Sequence, residues 1–332
     1  DVRPPDMPQE SGLPPIFPDY AGVTIPAEIA PMNFNIDDPD AERVYVKVTG
    51  SKGGMMETSG CLADFDMDDW HELAARNAGG ELSFDVSVRY SGGRWRRFAP
   101  FVMFVSDRPL GDYGVVYRKI APGYQTFSKT GIYQRELGSF EESPVLEETA
   151  VKGQCINCHY SNRGSADNFT IHVRGKDGGT VVRSGDRQAY VDTKRPYTKG
   201  NATYGYWHPE GRYVVYSVNK IVQNFYMDRG HNIEPWDVLS DLMVYDIETG
   251  DVITSPAVAT GNCETTPAFS PDGKTVYFCL ADSLDMPNDY DKLKYSLCSI
   301  GFDAAKGEFG DRIDTLIHAG GIGKSVSLPL SL

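Results

Sequence analysis

The residues best suited to chemistry lie in "QCINCHY", where Cys155 and Cys158 stand three apart and His159 follows directly. Three chemistries suit that pattern. As C-x-x-C-H it is the attachment signature for c-type haem, in which both thiols add to porphyrin vinyl groups and the adjacent imidazole takes the iron. As C-x-x-C alone it is a reversible disulfide, with His159 incidental. With His172 and one further group it is a zinc site, although no second closely spaced ligand pair follows it. Six cysteines and six histidines in 332 residues would produce C-x-x-C-H by chance about 0.002 times, which favours haem.

A haem at Cys155, Cys158 and His159 needs its second axial position assigned, since that ligand separates electron transfer from small-ligand chemistry. No methionine lies between Cys158 and Met227, so His172 in "FTIHVRGKDGGT" is the nearby candidate, with Met103 and Met227 as distant ones. The chain has room to turn at "NRGSAD" and return as the strand "NFTIHVR", which predicts His159 and His172 as the two iron ligands. A half-buried, hydrogen-bonded His172 is the plainer reading. Arg174 and Lys176 suit haem propionates, or simply a solvated loop. His208 and His231 read as turn and insertion residues. No G-x-S-x-G elbow, H-E-x-x-H or Walker loop occurs, and no catalytic residue is assigned.

The elements that must hold this segment are mainly β. From Glu42 to about Gln125 the alternation in "ERVYVKV", "ELSFDVSVRY", "RFAPFVMFVS" and "YGVVYRKI" predicts strands, with Leu82, Phe84, Val86 and Val88 on one face. One helix interrupts them, capped by Asp68, with Trp70, Leu73 and Ala74 inward and Gly79 as its stop. Beyond Asn201, "YWHPEGRYVVYSV" and "AFSPDGKTVYFCL" repeat a strand, a Pro-acid-Gly turn and a strand with an offset of 62, since 271 − 209 = 62. Each is followed by a further strand pair, "DLMVYDIETGDVI" and "YSLCSIGFDAAKGEF". Four antiparallel strands per repeat describe β-propeller blades. A third repeat begins near Pro329, so either the N-terminal β region completes the ring or, as is favoured here, the propeller is truncated.

The domain organisation expected is an extended Pro-rich arm over 1–36, a β-rich domain over 37–150, a haem-binding segment over 151–200 and propeller blades over 201–332. Cys263 and Cys279 are symmetric about 271 and are expected to pair across that turn; the competing pair is Cys279 with Cys298, leaving Cys263 to pair with Cys61 or stay free.

A net charge of −14 argues against a nucleic-acid partner and against direct binding to an anionic membrane. No run of about 18 apolar residues provides a transmembrane helix.

The ordered set "IPAEIAPMNF", "YRKIAPGYQ", "GIYQREL", "CINCH", "IHVRGKDGGT" and "AFSPDGKTVYF" resembles TolB-like β-propeller proteins of Bacteroidetes that carry a cytochrome c-type motif, over most of Ile25 to Phe278. The resemblance implies export to the periplasm or outer-membrane surface, a lipid anchor upstream of Asp1, and one covalent haem c at Cys155, Cys158 and His159. With it comes an expected role in electron transfer, docked on a redox partner protein or an envelope complex. The alternative is a cell-envelope binding or scaffold propeller whose C-x-x-C is structural.

Overall fold

The computed structural model describes residues 3–111, 114–120, 130–150, 154–176, 178–224 and 234–322. The chain is mainly β and divides into two compact units, Asp1–Tyr113 with Arg135–Glu142, and Gly114–Gln134 with Ser143–Leu332. These divisions differ from those expected at residues 37, 151 and 201. Residues 1–36 belong to the first unit, and 143–200 share the second with the blades.

In the first unit, short strands β1 (Ile16–Phe17), β2 (Thr24–Ile25) and β3 (Asn35–Ile36) precede the long strands β4 (Ala41–Gly50) and β5 (Met55–Gly60). Helix α1 (Met67–Arg76) leads into β6 (Glu81–Tyr90), β7 (Trp95–Arg97) and β8 (Phe101–Val105). The main sheet runs β2-β8-β6-β4-β5 with β7 beside β6. Alternation puts Val44, Val46, Val48, Leu82, Phe84, Val86 and Val88 on one face, all fully buried, where Trp70 and Leu73 of α1 cover them. The cap is Asp66 rather than Asp68: its carboxylate accepts from the backbone N–H groups of Asp68 and Asp69, the orphan donors of the first turn. The Pro-rich arm wraps onto this core, burying Ile16, Ile25 and Phe34 and accepting the Trp70 indole N–H at the Ile29 carbonyl, 3.1 Å away.

Strands β9 (Gly114–Lys119), β10 (Gly131–Glu136) and β11 (Glu142–Glu147) make a three-stranded sheet. Four-stranded groups follow. The first is β12 (Cys155–Asn162), β13 (Ser165–Arg174), β14 (Gly179–Ser184) and β15 (Arg187–Val191), an antiparallel meander. The second is β16 (Tyr204–Trp207), β17 (Tyr213–Asn224), β18 (Glu234–Asp246) and β19 (Val252–Ile253), and the third β20 (Cys263–Phe269), β21 (Thr275–Ala281), β22 (Ser296–Asp303) and β23 (Glu308–Ile317). A single parallel bridge, Ser240 to Cys263, joins the last two groups into one sheet, and a short helix α2 (Ala319–Ile322) follows. The two expected blades are present. The segment expected to bind haem is itself a four-stranded blade-like sheet.

The offset of 62 reappears in the hydrogen bonds. His208 N–H donates to Tyr213 O and Ser270 N–H to Thr275 O, each 2.8 Å; Gly211 N–H donates to His208 O and Gly273 N–H to Ser270 O, each 2.9 Å. His208 is not a solvated turn residue: it is 2 % exposed and bridges the two turns. Its Nδ1 accepts from Glu210 N–H at 3.2 Å, which leaves Nε2–H to donate to Gly273 O at 3.2 Å, and its ring meets Phe269 edge-on at 4.9 Å. Burial pushes the His208 pKa down. An unfolded chain takes up that proton near pH 6.5, and the folded one resists it, so His208 makes stability fall as pH drops below that point. Urea midpoints at pH 7.5 and 5.5 are expected to differ more for this protein than for a His208→Asn variant. Equal differences would show that His208 does not carry the dependence.

Cys263 and Cys279 do not face each other. The turn spans 271–274 between the paired Ser270 and Thr275, which centres the hairpin at (270 + 275)/2 = 272.5 instead of 271. A bulge between Thr265 and Ala268, where Thr266 has φ +49°, keeps Cys263 opposite Ala281 and Cys279 opposite Thr265. Cys279 and Cys298 lie on neighbouring strands but not opposite each other, since Cys279 faces Leu297 and Cys298 faces Phe278. None of the six cysteines is in a disulfide in the structure.

Candidate functional site

The segment that carries the candidate residues is the hairpin β12–β13, closed by Arg163 and Gly164 between the paired Asn162 and Ser165. Both turn residues have positive φ, +54° and +72°, the backbone of a type I′ turn, whose twist matches that of the strands it joins. Trp207 Nε1–H donates to Tyr160 O at 2.9 Å and fastens β12 to the next group of strands.

On a regular strand, residues three apart point to opposite faces. Here the register shifts between Ile156 and Cys158, so that Cys155 pairs with Arg174, Ile156 with Val173, Cys158 with His172 and His159 with Ile171. The bulge therefore puts Cys155 and Cys158 on one face with Arg174 and His172. Ile156, His159, Ile171 and Val173 take the other face, where three of them join a buried cluster with Ile132 and Phe169. His159 Nε2 lies 3.2 Å from the carbonyl oxygen of Val116 on β9.

Of the four residues predicted as one haem site, the structure thus gathers Cys155, Cys158 and His172 and sets His159 apart. The two imidazoles expected as paired iron ligands are on opposite faces of the same sheet and do not confront each other, because neighbours in an extended strand diverge. Two thiols, one imidazole and a guanidinium thus share one face of the sheet. Arg174 is half-buried against the thiols, with Nη2 donating to Cys158 Sγ at 3.6 Å, whereas Lys176 is exposed in the loop. Met103 is fully buried in the core of the first unit; Met227 and His231 lie outside the described residues. Among the described residues, no three His, Cys, Asp or Glu side chains converge as ligands for a bare metal ion.

Burial dominates the electrostatics. It holds the His172 pKa down at about 4, aided by the Arg174 charge, so the imidazole is neutral at physiological pH and open to accept or to ligate. His172 is 8 % exposed, and its Nδ1 has no hydrogen-bond partner. Burial raises the Cys155 thiol against the opposing pull of Arg174, which keeps it protonated and disfavours a role as a reactive thiolate. Burial, followed by nearby Asp237, also raises Tyr204.

Beside this face lies a cavity of about 480 Å³, lined by His172, Arg174, Asn201, Thr203, Asn219 and Ile221, among others. The sequence reading missed the polar residues of its far wall. Asn219 is the one amide inside the apolar run "VVYSVNKIV", and that break in alternation was the available signal.

No protein-family model matches the chain, and no characterised protein matches it in sequence. Solved structures of similar form include a DUF4784 family protein from Bacteroides caccae, at 7 % identity over 90 % of this chain and 83 % of that one, with a TM-score of 0.30. The periplasmic gluconolactonase PpgL of Pseudomonas aeruginosa shares 10 % identity over 82 % of this chain and 83 % of its own, with a TM-score of 0.34. An oligogalacturonate lyase from Vibrio parahaemolyticus shares 12 % over 64 % of this chain and 55 % of its own, with a TM-score of 0.31. These likenesses are too distant for any activity to pass from those proteins to this chain. No helix among the described residues is long and apolar enough to cross a membrane.

Proposed function

We propose that the chain is an exported c-type haem protein of the cell envelope that passes electrons to a redox partner protein or envelope complex docked on its propeller-type scaffold. The observation that carries this reading is the shared face: the bulge in β12 sets both thiols of C-x-x-C-H opposite a buried neutral imidazole and an arginine. Cys155 and Cys158 would form the thioethers, His172 would be the protein's iron ligand, and Arg174 would offset propionate charge. Haem so bound supplies one-electron chemistry, with a potential set by ligand, burial and nearby charge. The protein's own part is to hold an unprotonated imidazole on a strand and to screen that face from water. Export, and a lipid anchor upstream of Asp1, come from the resemblance to TolB-like proteins of Bacteroidetes.

Intact mass decides the attachment. Protein exported from a host with cytochrome c maturation machinery is expected to carry one haem, lost in the Cys155→Ala, Cys158→Ala variant. His172→Ala is expected to lose the spectrum of an imidazole-ligated haem, while His159→Ala keeps it. Unmodified Cys155 and Cys158 in protein from its own source would overturn the reading.

The separation of His159 from the thiols favours a second reading, a binding or scaffold propeller in which C-x-x-C is structural. A pyridine haemochrome spectrum distinguishes the two, because only the first gives a c-type signal.

A further inference from the structure

Away from the β12–β13 hairpin, Lys199, Asp241 and Glu264 come together in the second unit. Lys199 Nζ lies 2.5 Å from Asp241 Oδ1, and the Asp241 side chain is only 9 % exposed. Register brings in the third residue: the parallel bridge joins Ser240 to Cys263, so the next residues, Asp241 on β18 and Glu264 on β20, stand side by side on strands about 4.8 Å apart. Val218, opposite Asp241 on β17, and Met243, two residues beyond it on the same face, are both buried, so that face is apolar. Glu264 is fully buried; its Oε1 accepts from Thr260 Oγ1 and its Oε2 has no hydrogen-bond partner. Burial pushes its pKa up, against the Thr260 hydrogen bond and with the Asp241 charge, which favours the protonated acid.

An ammonium and a carboxylate held out of water carry a desolvation penalty that their attraction offsets only in part. Condensing the pair into an amide removes both charges. Bulk water opposes that reaction for separate molecules, but groups fixed in contact react at an effective concentration of about 10⁵ M or more, far above that of water. With an N···O distance of 2.5 Å, Lys199 Nζ is about 3–3.5 Å from Asp241 Cγ, the separation of reactants poised to combine.

We infer that Lys199 and Asp241 become joined by an isopeptide bond between Nζ and Cγ, with Glu264 as the proton relay. The Lys199 ammonium first passes one proton to Asp241, leaving a neutral amine beside a neutral acid. Nζ then attacks Cγ and forms the N–C bond; the C–OH bond breaks as Glu264 protonates the departing oxygen, and one amine proton returns to Glu264. The sum is one ammonium and one carboxylate giving one amide and one water, with no change of oxidation state. The bond ties the segment before β16 covalently to β18, across 42 residues, since 241 − 199 = 42. It does not rest on the haem reading, because none of the three residues belongs to β12 or β13.

Intact mass and tandem mass spectrometry of a tryptic digest test it, on the protein as isolated and on a Cys155→Ser, Cys158→Ser variant, whose mass no haem alters. The mass is expected to fall short of the sequence by one water, with no cleavage after Lys199 and a branched peptide joining Lys199 to Asp241. Lys199→Arg keeps the charge pair but not the amine, so it is expected to restore the full mass and to lower the urea midpoint, since its unfolded chain carries no cross-link. Glu264→Gln is expected to leave most of the protein at full mass. The digest of the unaltered protein decides the bond whether or not a variant folds: full mass with ordinary cleavage after Lys199 would overturn the inference. A missing water that persists in Lys199→Arg would overturn it too, by placing the loss elsewhere in the chain, and a branched peptide formed equally well in Glu264→Gln would overturn the role given to that carboxyl.

Discussion

Gly164→Ala is expected to destabilise the second unit by about 2–4 kcal/mol and to weaken the site on the β12–β13 hairpin. Gly164 has φ +72° at the second position of the hairpin turn, where a side chain costs about 1 kcal/mol. The larger part is steric: a Cβ there would lie 2.1 Å from the carbonyl oxygen of Gly114. That atom belongs to the backbone of β9 and has no rotamer to escape into, so either β9 or the hairpin must shift, at about 1–3 kcal/mol. Both thiols and His172 sit on this hairpin, so haem content should fall together with stability. Gly185→Ala is the control, because Gly185 also has positive φ, +58°, but open space around its Cβ position. Urea midpoints should separate the two variants clearly. Equal midpoints would show that the close approach of Gly164 to Gly114 does not matter.

Gly273→Ala should be comparably severe, by about 2–4 kcal/mol, for a reason that links the two repeats. Gly273 has φ +72°, and an added Cβ would fall 2.0 Å from His208 Nε2. His208 cannot swing aside cheaply, since its ring is buried between Phe269 and Tyr213 and both of its nitrogens are hydrogen-bonded. Gly261→Ala, at φ +96° with nothing nearby, reports the backbone strain alone. A double variant, His208→Ala with Gly273→Ala, should recover part of the Gly273→Ala loss, since the cavity left by one takes the methyl of the other. Strictly additive losses would show that the two residues do not press on each other.

The repeat of 62 residues is legible in the sequence because each hairpin combines strand alternation with a Pro-acid-Gly turn, and both signals are local. For the same reason the alternation of Leu82, Phe84, Val86 and Val88, and the inward face of α1, follow from residue spacing alone. The helix cap lies two residues earlier than expected because two acids compete there, and only backbone geometry shows that Asp66 reaches the free N–H groups. The Cys263–Cys279 pairing fails because register depends on the turn length and on the bulge at Thr266, and one shifted position moves every opposed pair.

The candidate site divides along the same line. By itself the sequence determined that Cys155, Cys158 and His159 form an improbable constellation, and that a strand bearing His172 returns beside it. Which side chains share a face was decided by the tertiary structure. A single bulge between Ile156 and Cys158 reunites two thiols that a regular strand would part, and sends the adjacent imidazole to the opposite side. Asn219 shows in the sequence only as a break in alternation, and its meeting with Asn201 and Thr203 around one cavity was beyond sequence reasoning, since it joins the segment before β16 to β17 and β13. Such long-range juxtapositions are set by how the sheets pack, and no local pattern of residues records them.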